Sequence, residues 1–355
     1  MNALPRILFL SVLCAAVSAS AGTARDIGLV LSSGGCKGAY HLGVWRALSE
    51  AGLADRIGVI SGTSVGALCS ALFACVKDCD RQEEIWKDSV SIFQLTPERA
   101  DVERIFEREA AKKRQWYGVA ELSTALTNDL WIAALLQARK EMMPKVARAY
   151  RELETDPDAT NLTFGVFSTD SLRRNLESCL PSQFAKDDPV VYATALKCGK
   201  ERLLKSFCIN SLDRKTQIDA LCASAAIPVA FSPIEIDGAL WQDGGWTERG
   251  GDKTPIDPIL KNHKDVKIVI VVYLHDEKNL PLGYRNEIRR KADAAGVRLL
   301  EIVPTRNIGG PFFGWVGVFD STPETMQNLI DAGYRDAKGM LEKEGLIKSA
   351  KGGTQ

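Results

Sequence analysis

The residues best suited to chemistry surround Ser64, in the stretch Ile57-Gly58-Val59-Ile60-Ser61-Gly62-Thr63-Ser64-Val65-Gly66-Ala67. A short apolar run leads into Gly62-Thr63-Ser64-Val65-Gly66, and an Ala/Leu-rich helical pattern follows. This is a G-x-S-x-G elbow between a strand and a helix. Gly62 and Gly66 lack a Cβ, so the strand and the helix can close on a serine held in a sharp turn. The Ser64 hydroxyl then projects into a cleft above a helix N-terminus, whose free N–H groups and partial positive charge suit a developing oxyanion. A small-residue turn would have the same letters, so the chemistry needs two further parts, a base and an oxyanion site.

Gly34-Gly35-Cys36-Lys37-Gly38 supplies candidate oxyanion donors. It ends the apolar run Asp26–Ser33 and opens a helical pattern, so successive backbone N–H groups can form an anion-binding concavity. A dinucleotide loop is not matched, because Ser33 occupies its first glycine position. A nucleotide P-loop fails too, because Gly38 rather than Ser or Thr follows Lys37. The base has two readings. A triad in the order serine, acid, histidine leaves His263 or His275 among the three histidines, and His275 directly follows the apolar run 267–274. Alternatively, Asp243 in Trp241-Gln242-Asp243-Gly244-Gly245 is pinned between a bulky residue and two glycines that let it approach another backbone.

The elements that must position these groups alternate between strand and helix, which makes this an α/β chain. Asp26–Ser33 reads as a first strand, Tyr40–Ala51 as a helix stopped by Gly52, and 57–63 as a second strand. Strand patterns return at Thr163–Phe167, Val190–Ala195, Leu203–Ile209, Lys267–Leu274 and Leu299–Val303. Pro233–Ile236 and Leu240-Trp241 flank an Asp237-Gly238 turn. Asp213-Arg214 reads as a turn and Ala220–Ala226 as a small-residue helix. Pro323–Leu341 places Met326, Leu329, Ile330 and Tyr334 on one helical face. Residues of about 76–160 are rich in Glu, Lys, Arg, Ala and Leu and read as a helical insertion; Leu130–Leu136 is its most apolar part, and Trp86, Trp116 and Trp131 are expected in the core.

The chain has 355 residues, with 45 basic and 45 acidic side chains, so nothing in its charge argues for nucleic acid. Residues 1–21 read as a signal peptide: Arg6, an apolar stretch Ile7–Val17, and Ala19-Ser20-Ala21 before Gly22. The stretch is too short to span a bilayer. Export is therefore expected, with the folded domain at 22–345 and a tail at 346–355. Cys14 leaves with the signal, and the remaining eight cysteines permit disulfides. Cys75/Cys79 and Cys198/Cys208 are the local candidates. Cys75-x3-Cys79 lacks a second pair at metal-site spacing, so no metal is expected. The aromatic, glycine-rich segment 308–319 reads either as core or as a loop for peripheral membrane contact.

Leu31–Val44, Gly62–Gly66 and Asp243-Gly244-Gly245 together resemble the patatin-like phospholipase family in order and spacing. Ala223-Ser224-Ala225-Ala226-Ile227-Pro228, Ile236-Asp237-Gly238 and a closing helix at Asp331–Ala337 agree with it. The resemblance covers about 26–75 and 163–340. It implies a three-layer α/β/α domain with a central, mainly parallel sheet, and a Ser64–Asp243 dyad that needs no histidine and no cofactor. It also implies an oxyanion hole from Gly34, Gly35 and Cys36, with Lys37 and Gly38 completing the loop, and a lipid or lysophospholipid ester as substrate. Two departures stand out. Ser33 replaces a usual glycine, and Trp246–Lys253 forms a short insertion at the cleft rim where the family goes directly on. Two competing readings are an α/β-hydrolase esterase using Ser64 and His275, and a lipid-binding protein that has lost turnover.

Overall fold

The run Ile27–Leu31 is buried along its whole length, as a strand covered on both faces must be. Among the described residues it is β1 of an eight-stranded sheet. The computed structural model describes residues 24–89, 100–117, 165–247, 250–275, 282–309 and 322–348, with helical residues between 137 and 155. β2 (Ile57–Thr63), β3 (Val190–Lys197), β7 (Ile268–Val272) and β8 (Arg298–Ile302) join β1 in a parallel array of order β3-β2-β1-β7-β8. β4 (Leu204–Cys208) folds back antiparallel on β3. β5 (Ile234–Ile236) and β6 (Ala239–Asp243) form a hairpin whose β6 is antiparallel to β3. Its two-residue turn has φ of 51° at Asp237 and 71° at Gly238, the positive pair that makes Asp-Gly the preferred sequence there.

Helices cover both faces. Leu29 and Leu31 of β1 face α1 (Ala39–Glu50), α2 (Val65–Cys75) and α9 (Pro323–Lys343), whereas Val30 between them faces α7 (Asp257–Asn262) and α8 (Leu282–Ala295). On β3, Val191, Ala193 and Ala195 pack with α2, α5 (Asp170–Cys179) and α6 (Arg214–Ser224), and Tyr192 packs on the other side. Strict alternation along the strands thus sorts the side chains into two layers around the sheet. α1 and α9 cross closely: a Cβ on Gly43 would lie 1.8 Å from the Ile330 carbonyl oxygen, and one on Gly333 would lie 2.0 Å from that of Tyr40. Gly52, at φ 68°, ends α1 and lets the Leu53 N–H reach the Leu48 carbonyl at 2.9 Å.

Between α2 and residue 165 the described elements are helical: α3 (Cys79–Ser89), α4 (Ala100–Tyr117) and short stretches after it. Trp86 of α3 is buried, as expected. Residues 1–23, Leu130–Leu136 with Trp131, the side chain of Trp116, and 310–321 lie outside the described residues.

Several expectations are corrected. Of the strand expected at Thr163–Phe167, residues 163 and 164 lie outside the described residues, and the described part, 165–167, makes a parallel bridge from Phe167 to Phe231 rather than joining the sheet. α6 begins at Arg214, well before Ala220, because the Asp213 carboxylate caps it by accepting the Thr216 N–H at 3.1 Å. None of the eight described cysteines is in a disulfide. Cys208 stands opposite Tyr192 on β3, six residues before Cys198, so about 20 Å of strand separates that pair. Cys79 packs in the α1/α9 layer and Cys75 in the α5/α6 layer, so these two diverge despite their closeness in sequence.

Candidate active site

β3 outlasts its parallel neighbour, and the site is built on the difference. β2 pairs with its first part, from Val59–Val190 to Thr63–Thr194. β4 occupies the opposite edge, from Tyr192 to Leu196. β6 therefore takes the same edge as β2, pairing Asp243 with Ala195 and Trp241 with Lys197. The two strands run toward each other and meet where Thr63 faces Thr194 and Asp243 faces Ala195. Ser64 is the next residue after Thr63, and its side chain hydrogen-bonds Asp243. Two residues remote in sequence are thus brought together by one shared template strand.

Ser64 has φ 56° and ψ −127°, a conformation that costs a non-glycine residue on the order of 1–3 kcal/mol and must be held by its surroundings. The holding groups are identifiable. The Ser64 N–H donates to Ser224 Oγ at 2.9 Å, and that hydroxyl donates to the Thr194 carbonyl at 2.7 Å. The Ser64 carbonyl accepts the Ala67 and Leu68 N–H groups at 2.9 and 3.2 Å, which starts α2. A Cβ on Gly62 would lie 2.2 Å from the Gly66 carbonyl carbon, and one on Gly66 would lie 2.1 Å from the Leu31 oxygen. The elbow glycines are therefore steric requirements. Thr63 turns its hydroxyl to the Asp252 carbonyl at 2.7 Å, and Val65 packs over Gly38.

Asp243 ends β6 and is buried. Burial pushes its pKa up from 3.8 to about 6, while the Ser64 hydrogen bond, the Gly245 N–H and the charge of Lys253 pull it back. The Gly245 N–H reaches Oδ1 at 2.7 Å. Gly244 passes so near the Thr194 carbonyl that a Cβ would lie 2.4 Å from its oxygen.

The glycine loop follows the end of β1 and comes close to the aspartate turn, where a Cβ on Gly245 would lie 2.9 Å from Ser33 Oγ. After Gly34 comes a 3-10 turn, Gly35–Gly38, in which Gly35 has φ 58°. The N–H groups of Gly34 and Gly35 have no acceptor among the described residues. Cys36 follows them in the turn with its side chain buried. The Lys37 N–H is engaged within the turn, with the Gly34 carbonyl at 3.3 Å. Its side chain turns away to the Leu274 carbonyl, 3.0 Å from Nζ. Lys37 thus braces the loop against the segment that follows β7. Gly38 lies under Val65 and Trp86, with no space for a side chain.

The rim segment Trp246–Lys253 ties these parts together. The Asp252 N–H donates to the Gly244 carbonyl at 2.7 Å, the Asp252 carbonyl accepts the Thr63 hydroxyl, and the Lys253 carbonyl accepts the Ser33 N–H at 2.9 Å. The Asp252 carboxylate accepts the Thr254 N–H and the Tyr284 hydroxyl, each at 2.9 Å. Elbow, glycine loop and aspartate turn are therefore cross-linked by a segment read from sequence only as an insertion. Ser224 and Asp252 were not singled out by sequence reasoning, and neither carries a local signal beyond the small-residue stretch around Ser224.

The three histidines sit on other elements than Ser64 and Asp243. His41 is fully buried beneath the glycine loop, its Nε2 3.0 Å from the Ser32 carbonyl, and burial pushes its pKa down to about 4. His263 is 3.2 Å from the Tyr192 hydroxyl. His275 follows the end of β7, which β1 separates from β2. Of the proposed bases, Asp243 is hydrogen-bonded to Ser64. Among the described residues no group of three or more His, Cys, Asp or Glu side chains could hold a metal ion, and no helix is long and apolar enough to cross a membrane.

Comparison with known proteins bears on this arrangement. The chain is 46% identical over 56 residues to the patatin-like phospholipase domain-containing protein ZK370.4 of Caenorhabditis elegans, covering 16% of this chain and 4% of that one. It is equally identical over 56 residues to lysophospholipase NTE1 of Coccidioides immitis, covering 16% of this chain and 3% of that one. The chain thus spans only a few per cent of the length of these curated relatives. Among solved structures, VipD from Legionella pneumophila superposes with a TM-score of 0.46 at 14% identity, covering 90% of this chain and 67% of that one. Full-length ExoU from Pseudomonas aeruginosa gives 0.40 at 18% identity, covering 92% and 54%. The family model described as patatin-like phospholipase matches residues 29–258, from the middle of β1 through the elbow, the aspartate turn and the rim segment, and the chain belongs to that family.

Proposed function

We propose that this chain is a lipid acyl hydrolase of the phospholipase A or lysophospholipase type, working through an acyl-enzyme on Ser64 with Asp243 as general base. The observation that carries the reading is the Ser64–Asp243 hydrogen bond in a buried site, at the end of a strand next to β1, whose following turn holds the Gly34 and Gly35 N–H groups that have no acceptor among the described residues. Ser64 Oγ attacks the ester carbonyl carbon as its proton passes to Asp243. The carbonyl oxygen takes up the negative charge and is held by the N–H groups of the Gly34-Gly35-Cys36 turn; a single such donor is typically worth a factor of about 10²–10³ in rate. Collapse of this intermediate breaks the ester C–O bond, and the proton on Asp243 goes to the leaving alcohol. Water, deprotonated in turn by Asp243, then releases the fatty acid and restores the hydroxyl. A base whose pKa has been lifted to about 6 is strong enough to take the proton and still ionised at neutral pH.

A lipid ester is supported by family membership, by a catalytic pair that is buried rather than open to water, and by the lysophospholipase name of the NTE1 relative. Export through residues 1–21 belongs to the same reading; the exported protein should begin at Gly22 on N-terminal sequencing.

The test is a fluorophosphonate probe located by peptide mapping, alongside fatty-acid release from lysophosphatidylcholine. We expect a label on Ser64, its loss in Ser64→Ala, and loss of turnover by 10³-fold or more in Ser64→Ala and in Asp243→Asn, with His275→Asn active. Activity retained in Asp243→Asn but lost in His275→Asn would establish the triad esterase instead. No label and no fatty-acid release from the folded protein would leave a lipid-binding protein without turnover.

A further inference from the structure

Large apolar side chains are exposed at two places among the described residues, Leu203 at 52% and Leu282 at 70%. Sheet topology puts both at the same end of the molecule. β3 passes the elbow at Thr194 and continues to Lys197, where the Lys197 N–H meets the Leu203 carbonyl at 2.9 Å to close the hairpin into β4. Leu203 therefore stands three residues, about 10 Å, beyond the level of Ser64. Leu282 opens α8, in the connection that leaves the carboxyl end of β7. Because β7 is parallel to β1 and β2, that connection lies at the Ser64 end of the sheet. In strand order, β3 and β7 flank β2 and β1, so the two leucines stand on either side of the elbow and the glycine loop.

The hairpin is also positively charged within a chain of zero net charge. Between Lys197 and Lys205 it carries Lys197, Lys200, Arg202 and Lys205 against Glu201. Glu201 is 3.5 Å from Lys197, and the Lys205 ammonium lies over the rings of Phe207 and Trp241. Lys200 and Arg202 are exposed and make no ion pair among the described residues. An exposed leucine beside two uncompensated cations suits the boundary of a bilayer bearing anionic headgroups, where the apolar chain inserts and the cations meet phosphate.

We propose that the end of the molecule carrying Leu203, Lys200, Arg202 and Leu282 docks on an anionic phospholipid bilayer and brings the Ser64 cleft over its substrate. This rests on the lipid-hydrolase reading for its purpose, but docking is measured without turnover. The full-length Ser64→Ala protein is sedimented with vesicles of phosphatidylcholine alone, or containing about a third phosphatidylglycerol. Binding is expected only to the second kind and should weaken as salt rises. Lys200→Glu combined with Arg202→Glu should weaken it by more than tenfold, and Leu203→Ser with Leu282→Ser by a similar factor, with unchanged circular dichroism and melting temperature. With Ser64 restored, the same surface variants should hydrolyse a soluble short-chain ester at the parental rate and vesicle lipid at least tenfold more slowly. Absence of vesicle binding, binding that ignores anionic lipid, or binding untouched by both double variants would overturn the proposal. If the parental enzyme hydrolyses no ester at all while the Ser64→Ala protein binds as described, the docking surface stands and the hydrolase reading fails.

Discussion

At the scale of single residues, the site holds a carboxylate under strain. Asp243 titrates near 6 rather than 3.8 because burial disfavours its charge, so the folded protein binds a proton more readily than the unfolded chain between those values. Stability from this group is therefore greatest in acid and declines as pH rises through 6, by about 3 kcal/mol. His41 works in the opposite sense. Its pKa falls from 6.5 to about 4 on burial, so its contribution is complete above 6.5 and is lost as pH falls toward 4, again by about 3 kcal/mol. The two slopes oppose each other between pH 4 and 6. Asp243→Asn should thus melt higher than the parent at pH 8, match it near pH 4, and lose stability on acidification more steeply than the parent does; thermal melts across that range measure all three. Ser224→Ala leaves the Ser64 N–H buried without an acceptor and should lower kcat about tenfold with little change in KM, read from steady-state kinetics on a soluble ester. Ser64 and Asp243 are legible in sequence because each sits among glycines whose spacing is local. Ser224 and Asp252 are not, because what they hold is 160 and 189 residues away, at Ser64 and Thr63.

The elements follow the same logic of local against remote. β1, β2, β3, β7, α1 and α9 are plain in the sequence because their apolar residues recur at the period of the structure they form. The Asp237-Gly238 hairpin is plain because the turn requires those residue types. α8 has only Ile288 and Ala292 buried, so its sequence carries little periodic signal, and it is held instead by Arg285 and Arg289 on Glu301 at 2.8 and 2.6 Å. Gly43 and Gly333 are where α1 and α9 touch backbone to backbone. Gly43→Ala should therefore destabilise the protein by about 1–3 kcal/mol, despite the better helix propensity of alanine. Denaturant unfolding checks this; a stabilised variant would mean that the crossing relaxes freely.

For the molecule as a whole, strand-helix alternation is enough to indicate an α/β chain, but not the order of strands in the sheet. That order depends on pairings such as β1 with β7 and β3 with β6, across long stretches of chain that leave no mark on composition. The resemblance of three short segments to one family supplied what periodicity could not. The rim segment shows its limit: it departs from the family pattern in sequence, and in space it binds Thr63, Ser33 and Gly244 to one another.

One consequence follows from two strands meeting end to end along β3. The gap between hydroxyl and carboxylate is set by the spacing of adjacent hydrogen-bonding positions, Thr194 and Ala195, which act as a ruler cut into the protein. Connections that merely return the chain to this ruler are free to change length. Two glycines added at the Asp237-Gly238 turn should leave kcat within about threefold of the parent, whereas shifting β6 by two residues would carry the carboxylate about 7 Å off its mark and silence the enzyme.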